Sequence, residues 1–184
     1  MYNFVSIFLL SFLSQFTTAT GTPKTLLSLA AEKGSQHEEI QAFLDSGSDP
    51  NSLTPDGESV LHLACIWGGP KKVAALLAAG SDPNARNTKH KSSLDMTPLS
   101  WCAYAGYTDT ISEFLKDERT NVNLIVKQED GQCISPMDIA IKIGQERGES
   151  TQTILKEAGA LKYEELKFLP KIQLDDLLPP SGCP

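Results

Sequence analysis

Apolar side chains recur along this chain in stripes at helical spacing, and each stripe runs into a polar turn. Ile40, Phe43 and Leu44 form one, Val73, Leu76 and Leu77 a second, and Ile111, Phe114 and Leu115 a third, all at i, i+3, i+4. Thr151, Ile154 and Leu155 are a worn fourth. The pentapeptide GSDPN follows the first stripe at Gly47–Asn51 and the second at Gly80–Asn84, 33 positions later; Asn121–Asn123 and Gly159–Ala160 follow the others. Glycine takes the left-handed conformation that ends helices. Asp and Asn bond nearby backbone amides, and Pro blocks helix extension. The pattern therefore predicts a helix, a stop and a turn, repeated.

A second series interleaves with the first. TLLSLAAEKG (Thr25–Gly34), SVLHLACIWG (Ser59–Gly68), TPLSWCAYAG (Thr97–Gly106) and SPMDIAIKIG (Ser135–Gly144) align without gaps. Each opens on Ser or Thr, good helix N-caps, and two have Pro next, where a first-turn proline is tolerated. Each carries small residues and closes on Gly, predicting a short helix. The unit is a short helix, a glycine turn, a longer striped helix and a polar turn.

These residues resemble the ankyrin repeat, whose period is about 33 and whose opening is T-P-L-H-x-A. SVLHLA and TPLSWCA carry the opening and GSDPN the close. The resemblance covers about residues 25–160 and implies an all-α solenoid of stacked helix–turn–helix units with β-hairpin-like loops. The repeats run about 25–58, 59–96, 97–134 and 135–160. Ser28, Ser100 and Asp138 stand where the family prefers His, so its structural His hydrogen bond is expected only at His62. The connections 86–96 and 127–134 are longer than usual. The resemblance also implies a concave groove, lined by the two residues before each closing Gly and by the residue before each Ser/Thr opening. That places Glu32, Lys33, Glu58, Ile66, Trp67, Met96, Tyr104 and Lys142 on a partner-binding surface, with an aromatic centre and a charged rim. The alternative for Trp67 is packing back on the neighbouring repeat.

Charge and cysteine usage refine this picture. The net charge of −7 disfavours nucleic-acid binding, which needs a positive surface; the basic run Lys89–Lys91 reads as a solvated loop tip. The first charged side chain is Lys24, and the apolar run Phe4–Phe16 is followed by small residues. Residues 1–20 thus read as a secretory signal peptide, too short to span a membrane, or as an extra helix on the first repeat. The first option predicts a secreted or lumenal protein that meets membrane only during targeting, the second a cytoplasmic one. No N-x-S/T sequon is present. Cys65 and Cys102 are expected to be unpaired core residues. Stacked helices lie about 8–10 Å apart, whereas a disulfide wants Cα atoms within about 7 Å. Cys133 and Cys183 are left free to pair with each other or with a partner.

No catalytic, cofactor or metal motif appears: there is no G-x-S-x-G, P-loop, H-E-x-x-H or C-x-x-C. The tail, residues 161–184, reads as a helix capping the last repeat, as a disordered motif that a partner reads, or, the favoured reading, as a segment partly packed and partly disordered. The expectation is a non-enzymatic module that binds another protein. It would serve as a scaffold or adaptor, or alternatively as a secreted inhibitor or effector that blocks an enzyme.

Overall fold

The computed structural model describes residues 24–183 apart from 35, 88–94, 129 and 144, and the side chains of 145–147 are also outside it. The signal segment, the basic run and the closing Gly144 therefore lie beyond the described residues. Four helix pairs follow one another: α1 (Leu26–Ala31) and α2 (His37–Asp45); α3 (Val60–Ala64) and α4 (Pro70–Ala78); α5 (Pro98–Ala105) and α6 (Thr108–Leu115); α7 (Pro136–Lys142) and α8 (Gln145–Glu157). A two-stranded antiparallel hairpin, β1 (Val126–Lys127) and β2 (Cys133–Ile134), precedes α7, with Val126 opposite Ile134. Two short helices close the chain, α9 (Tyr163–Leu166) and α10 (Lys171–Asp175).

The helices stack in two layers. First helices pack in order α1, α3, α5, α7, and second helices in order α2, α4, α6, α8. The predicted stripes point between the layers: Ile40, Val73, Leu76, Ile111, Phe114 and Leu155 are fully buried against Leu29, Leu61, Leu63 and Leu99. This is the all-α ankyrin solenoid that the sequence implied. No helix among the described residues is long and apolar enough to cross a membrane.

Local chemistry sets the helix ends as the sequence suggested. Thr25, Ser59, Thr97 and Ser135 are the N-caps of the four first helices, each accepting from the backbone three residues on. The expectation that only His62 would make the inward bond needs correction. The Thr25 amide donates to Ser28 Oγ at 2.9 Å and the Ser135 amide to Asp138 Oδ2 at 2.9 Å, just as the Ser59 amide donates to His62 Nδ1 at 3.0 Å. Ser28 and Asp138 complete capping boxes as His62 does, whereas Ser100 in α5 does not. What is particular to His62 is its reach to the next repeat, where Nε2 lies 3.0 Å from the Met96 carbonyl. Gly68 and Gly106 end their helical turns in the left-handed region, at φ 67° and 72°.

The repeated GSDPN has a tertiary purpose. Asp49 and Asp82 accept from the amides of Asn51 and Asn84, closing tight Asx turns. The asparagine amide then clamps the following repeat. Asn84 donates to the Arg119 carbonyl at 2.7 Å and accepts from the Asn121 amide at 2.9 Å. Asn51 does the same with the Gly80 carbonyl and the Asp82 amide, and Asn123 with the Gly159 carbonyl and the Leu161 amide. Each clamp satisfies one donor and one acceptor in the turn that follows the next repeat's second helix.

The cysteines overturn the expectation of free thiols. Cys65 and Cys102 form a disulfide with Cα atoms 4.9 Å apart, joining the first helices of adjacent repeats. Helix spacing is measured between axes, and each Cα sits about 2.3 Å off its axis. Axes about 8–10 Å apart therefore bring facing Cα atoms within bonding range. The small Ala64 and Ala103 beside the cysteines permit that approach. The helix register is as predicted; the distance argument compared the wrong quantities. Cys133 and Cys183 pair as well, Cα to Cα 5.9 Å, and no described cysteine is free.

That second bridge anchors a packed tail. Leu166 and Leu177 are buried with Leu124, Ile125 and Cys133 in a satellite core beside the hairpin. The Ile125 amide donates to the Leu177 carbonyl at 2.8 Å. Arg86 ties three segments through one guanidinium, donating to the carbonyls of Asp95, Ile125 and Leu177 at 2.9, 2.8 and 3.1 Å.

Candidate protein-binding surface

The ends of the first helices carry the side chains that the sequence assigned to a groove. The structure divides them. Trp67 is half-buried, packs against the core with one side, and has Lys33 Nζ 5.6 Å from its ring centroid. The cation therefore faces the indole from the preceding repeat, in the geometry of a cation–π pair. Tyr104, at the end of α5, keeps 42 % of its surface exposed. Partial burial raises its phenol pKa. Met96 is half-buried against the core; its amide donates to Asn87 Oδ1 at 2.9 Å and its carbonyl faces His62. Glu32 is half-buried, while Lys33 and Lys142 are exposed at either end of the row.

Two assignments do not hold. Glu58 is 1 % exposed. Its carboxylate accepts from Thr54 Oγ1 and its amide donates back to the same oxygen at 3.1 Å, closing the turn before α3. A carboxylate at this position is spent on its own turn. Ile66 is 8 % exposed. Its carbonyl accepts from the Tyr107 hydroxyl at 3.3 Å, and the Tyr107 ring lies over Gly68. Neither offers an accessible side chain. The groove rule assumed that both residues before the closing Gly face outward, but only Trp67 does so in the second repeat.

Sequence reasoning missed what holds this row in place. Lys72 in α4 is buried, and its ammonium donates to the carbonyls of Leu29 at 3.2 Å, Ala30 at 3.4 Å and Glu32. These carbonyls end α1, so the cation sits at the negative end of that helix and fixes the base from which Glu32 and Lys33 project. Burial lowers the Lys72 pKa, partly offset by the Glu32 carboxylate. No sequence signal separates Lys72 from the solvated Lys71 beside it except its place next to the stripe at Val73. Trp101, half-buried on α5, meets the His62 ring edge-on at 5.3 Å.

His62 is not available as a base. The Met96 carbonyl can only accept, so Nε2 carries the proton; the Ser59 amide donates to Nδ1. Both nitrogens are committed, and complete burial pushes the pKa down to about 4 despite the Met96 bond. Among the described residues no His, Cys, Asp and Glu cluster fits a metal. The most evident concavities there are shallow clefts, one between α4 and α6 lined by Pro70, Lys71, Ala74, Asp109, Ser112 and Glu113.

Stacked helix pairs, asparagine clamps and capped short helices agree with the comparison to known families: the model of ankyrin repeats (3 copies) matches residues 2–87. The matched stretch is ankyrin-repeat sequence, and the described helix pairs form an ankyrin solenoid. Beyond the matched stretch the same pairs and clamps continue to Leu161. The match also takes in residues 2–23, outside the described residues, where the sequence reads a signal segment or an added helix. No curated protein matches the chain. Ankyrin repeats mediate protein–protein interaction and are typically non-enzymatic.

Proposed function

We propose that this ankyrin solenoid is a scaffold or adaptor that holds a partner protein on a surface centred on Trp67 and Tyr104. One observation carries the proposal: an indole in the turn after α3 and a phenol near the end of α5 are left partly exposed, while Leu61, Leu63 and Leu99 on the same helices are buried. A rigid surface costs little ordering on binding, and aromatic anchors hold a disproportionate share of interface energy. The rim cations Lys33 and Lys142 favour a partner with carboxylates flanking an apolar centre. Trp67→Ala tests this against simple packing. A binding role predicts about 30-fold weaker partner affinity, equivalent to about 2 kcal/mol, with a nearly unchanged melting midpoint. Normal affinity with a large loss of stability would sink it.

A second proposal is favoured by the disulfides. Two bridges in one small domain belong to an oxidising compartment, and together with the apolar Phe4–Phe16 run they support secretion and a blocking role outside the cytosol. Expression in a secreting cell, with N-terminal sequencing and thiol counting, tests it. A chain retained in the cytosol with Met1 intact and four free thiols would refute it. Assaying a captured partner enzyme with and without the protein separates inhibitor from scaffold.

A further inference from the structure

The satellite core beside the hairpin is built from two parts of unequal standing. Leu124 and Ile125 lead into β1, Cys133 opens β2, and the tail supplies Leu166 and Leu177 to cover them. The tail also binds the chain just before the hairpin, since the Ile125 amide has the Leu177 carbonyl as its acceptor. Three further attachments gather at the same end: Arg86 to the Leu177 carbonyl, Ser181 to Asp95 Oδ2, and Lys127 to the Ser181 carbonyl at 3.4 Å. One covalent bond, Cys133–Cys183, closes a 50-residue separation over all of them. The two disulfides differ in access. Cys65 and Cys102 are 1 % and 0 % exposed between stacked helices, whereas Cys183 is half-exposed.

We propose that Leu124–Ile125, just before the hairpin, is a docking site for a short leucine-bearing turn segment, filled in cis by the chain's own Leu174–Gly182 and uncovered when a dithiol reductant opens Cys133–Cys183. The sulfur of Cys183, the more exposed residue of this bridge, is attacked by a reductant thiolate, which forms a mixed disulfide and expels the Cys133 thiolate. The reductant's second thiol then attacks its own bridged sulfur and releases Cys183. Two electrons and two protons pass from the dithiol to the cystine, leaving two protein thiols and an oxidised reductant. The buried Cys65–Cys102 bridge offers no approach to a thiolate and keeps the repeats stapled. Once the bridge is open, the tail is held at this end by packing and by its own chain, and a second segment with a leucine pair, two prolines and a free carbonyl for the Ile125 amide competes with it when its concentration exceeds the tail's effective concentration. The site stands apart from the groove and does not depend on it.

The Ile125 amide reports the state. The oxidised full chain is treated with dithiothreitol under native conditions, its bridges are mapped by mass spectrometry, and hydrogen exchange is followed with and without a synthetic Leu174–Gly182 peptide. Selective opening of Cys133–Cys183 is expected to reduce protection at Ile125 and across the tail on the order of a hundredfold, with the repeats unchanged. About 10 mM peptide, above the effective concentration of a tethered segment, is expected to restore protection at Ile125 in the reduced chain and to leave the oxidised chain unaffected. The double variant Cys133→Ser, Cys183→Ser should match the reduced chain without any reductant. Unchanged protection after opening overturns the latch. Lost protection that the peptide does not restore overturns the docking site, and loss throughout the repeats or prior opening of Cys65–Cys102 overturns the selectivity.

Discussion

Taking the protein from pH 7 to pH 5 should cost it about 2 kcal/mol of stability through His62 alone. The folded chain holds this imidazole neutral, with its pKa near 4 against an ordinary 6.5, because it is wholly buried. The folded value is depressed, so below 6.5 the unfolded chain binds a proton that the folded chain refuses. The contribution is complete above pH 6.5 and is lost as pH falls towards 4. Over the whole window the shift corresponds to about 3 kcal/mol, and the interval from pH 7 to 5 captures roughly two-thirds of it. The geometry says why the proton is refused. An imidazolium would have to be desolvated completely at this site, with Nδ1 between the Ser59 amide, a donor at 3.0 Å, and Ser59 Oγ at 2.8 Å. Urea unfolding followed by circular dichroism at pH 7, 6 and 5, at one ionic strength, gives the slope for the natural chain and for His62→Gln. The variant keeps a donor for the Met96 carbonyl and removes the titration, so the difference between the two slopes isolates His62. Parallel slopes, or an NMR titration of His62 with a midpoint between 6 and 7 in the folded protein, would refute the argument.

Other outcomes follow from single contacts. Gly68→Ala should destabilise by about 1–3 kcal/mol, because its φ is 67° and an added Cβ would lie 2.7 Å from the Tyr107 ring; an unchanged thermal midpoint would contradict this. Asn84→Ala should cost about 0.5–1.5 kcal/mol by freeing the Arg119 carbonyl and the Asn121 amide to water, with hydrogen exchange rising first at residues 119–123. Replacing both Cys65 and Cys102 by Ala should lower stability by about 2–4 kcal/mol, read as a reduced urea midpoint under oxidising conditions. Lys72→Met should loosen the end of α1, seen as faster exchange at Glu32 and Lys33, whereas Lys71→Met should leave it unchanged.

The sequence by itself determined the order of elements, because that information is local. Helical spacing of Val73, Leu76 and Leu77 places a buried stripe whatever lies beside it. Thr97 and Gly106 mark one helix's ends by their own hydrogen bonding and φ. Repetition made the stack legible too, since a unit that cannot bury its stripe alone must bury it against its copy. Which side chains end up exposed was not local. Glu58 and Ile66 fit the same positional rule as Met96 and Trp67, yet one is consumed by Thr54 and the other lies beneath the Tyr107 contact. The Cys65–Cys102 bridge depended on how closely two helices approach, which the alanines decide only once both helices are in place. The tail was the least legible part. Leu166 and Leu177 carry no periodic signal, and their burial rests on Leu124, Ile125 and Arg86, residues 41 to 91 positions away that only the folded chain brings to them.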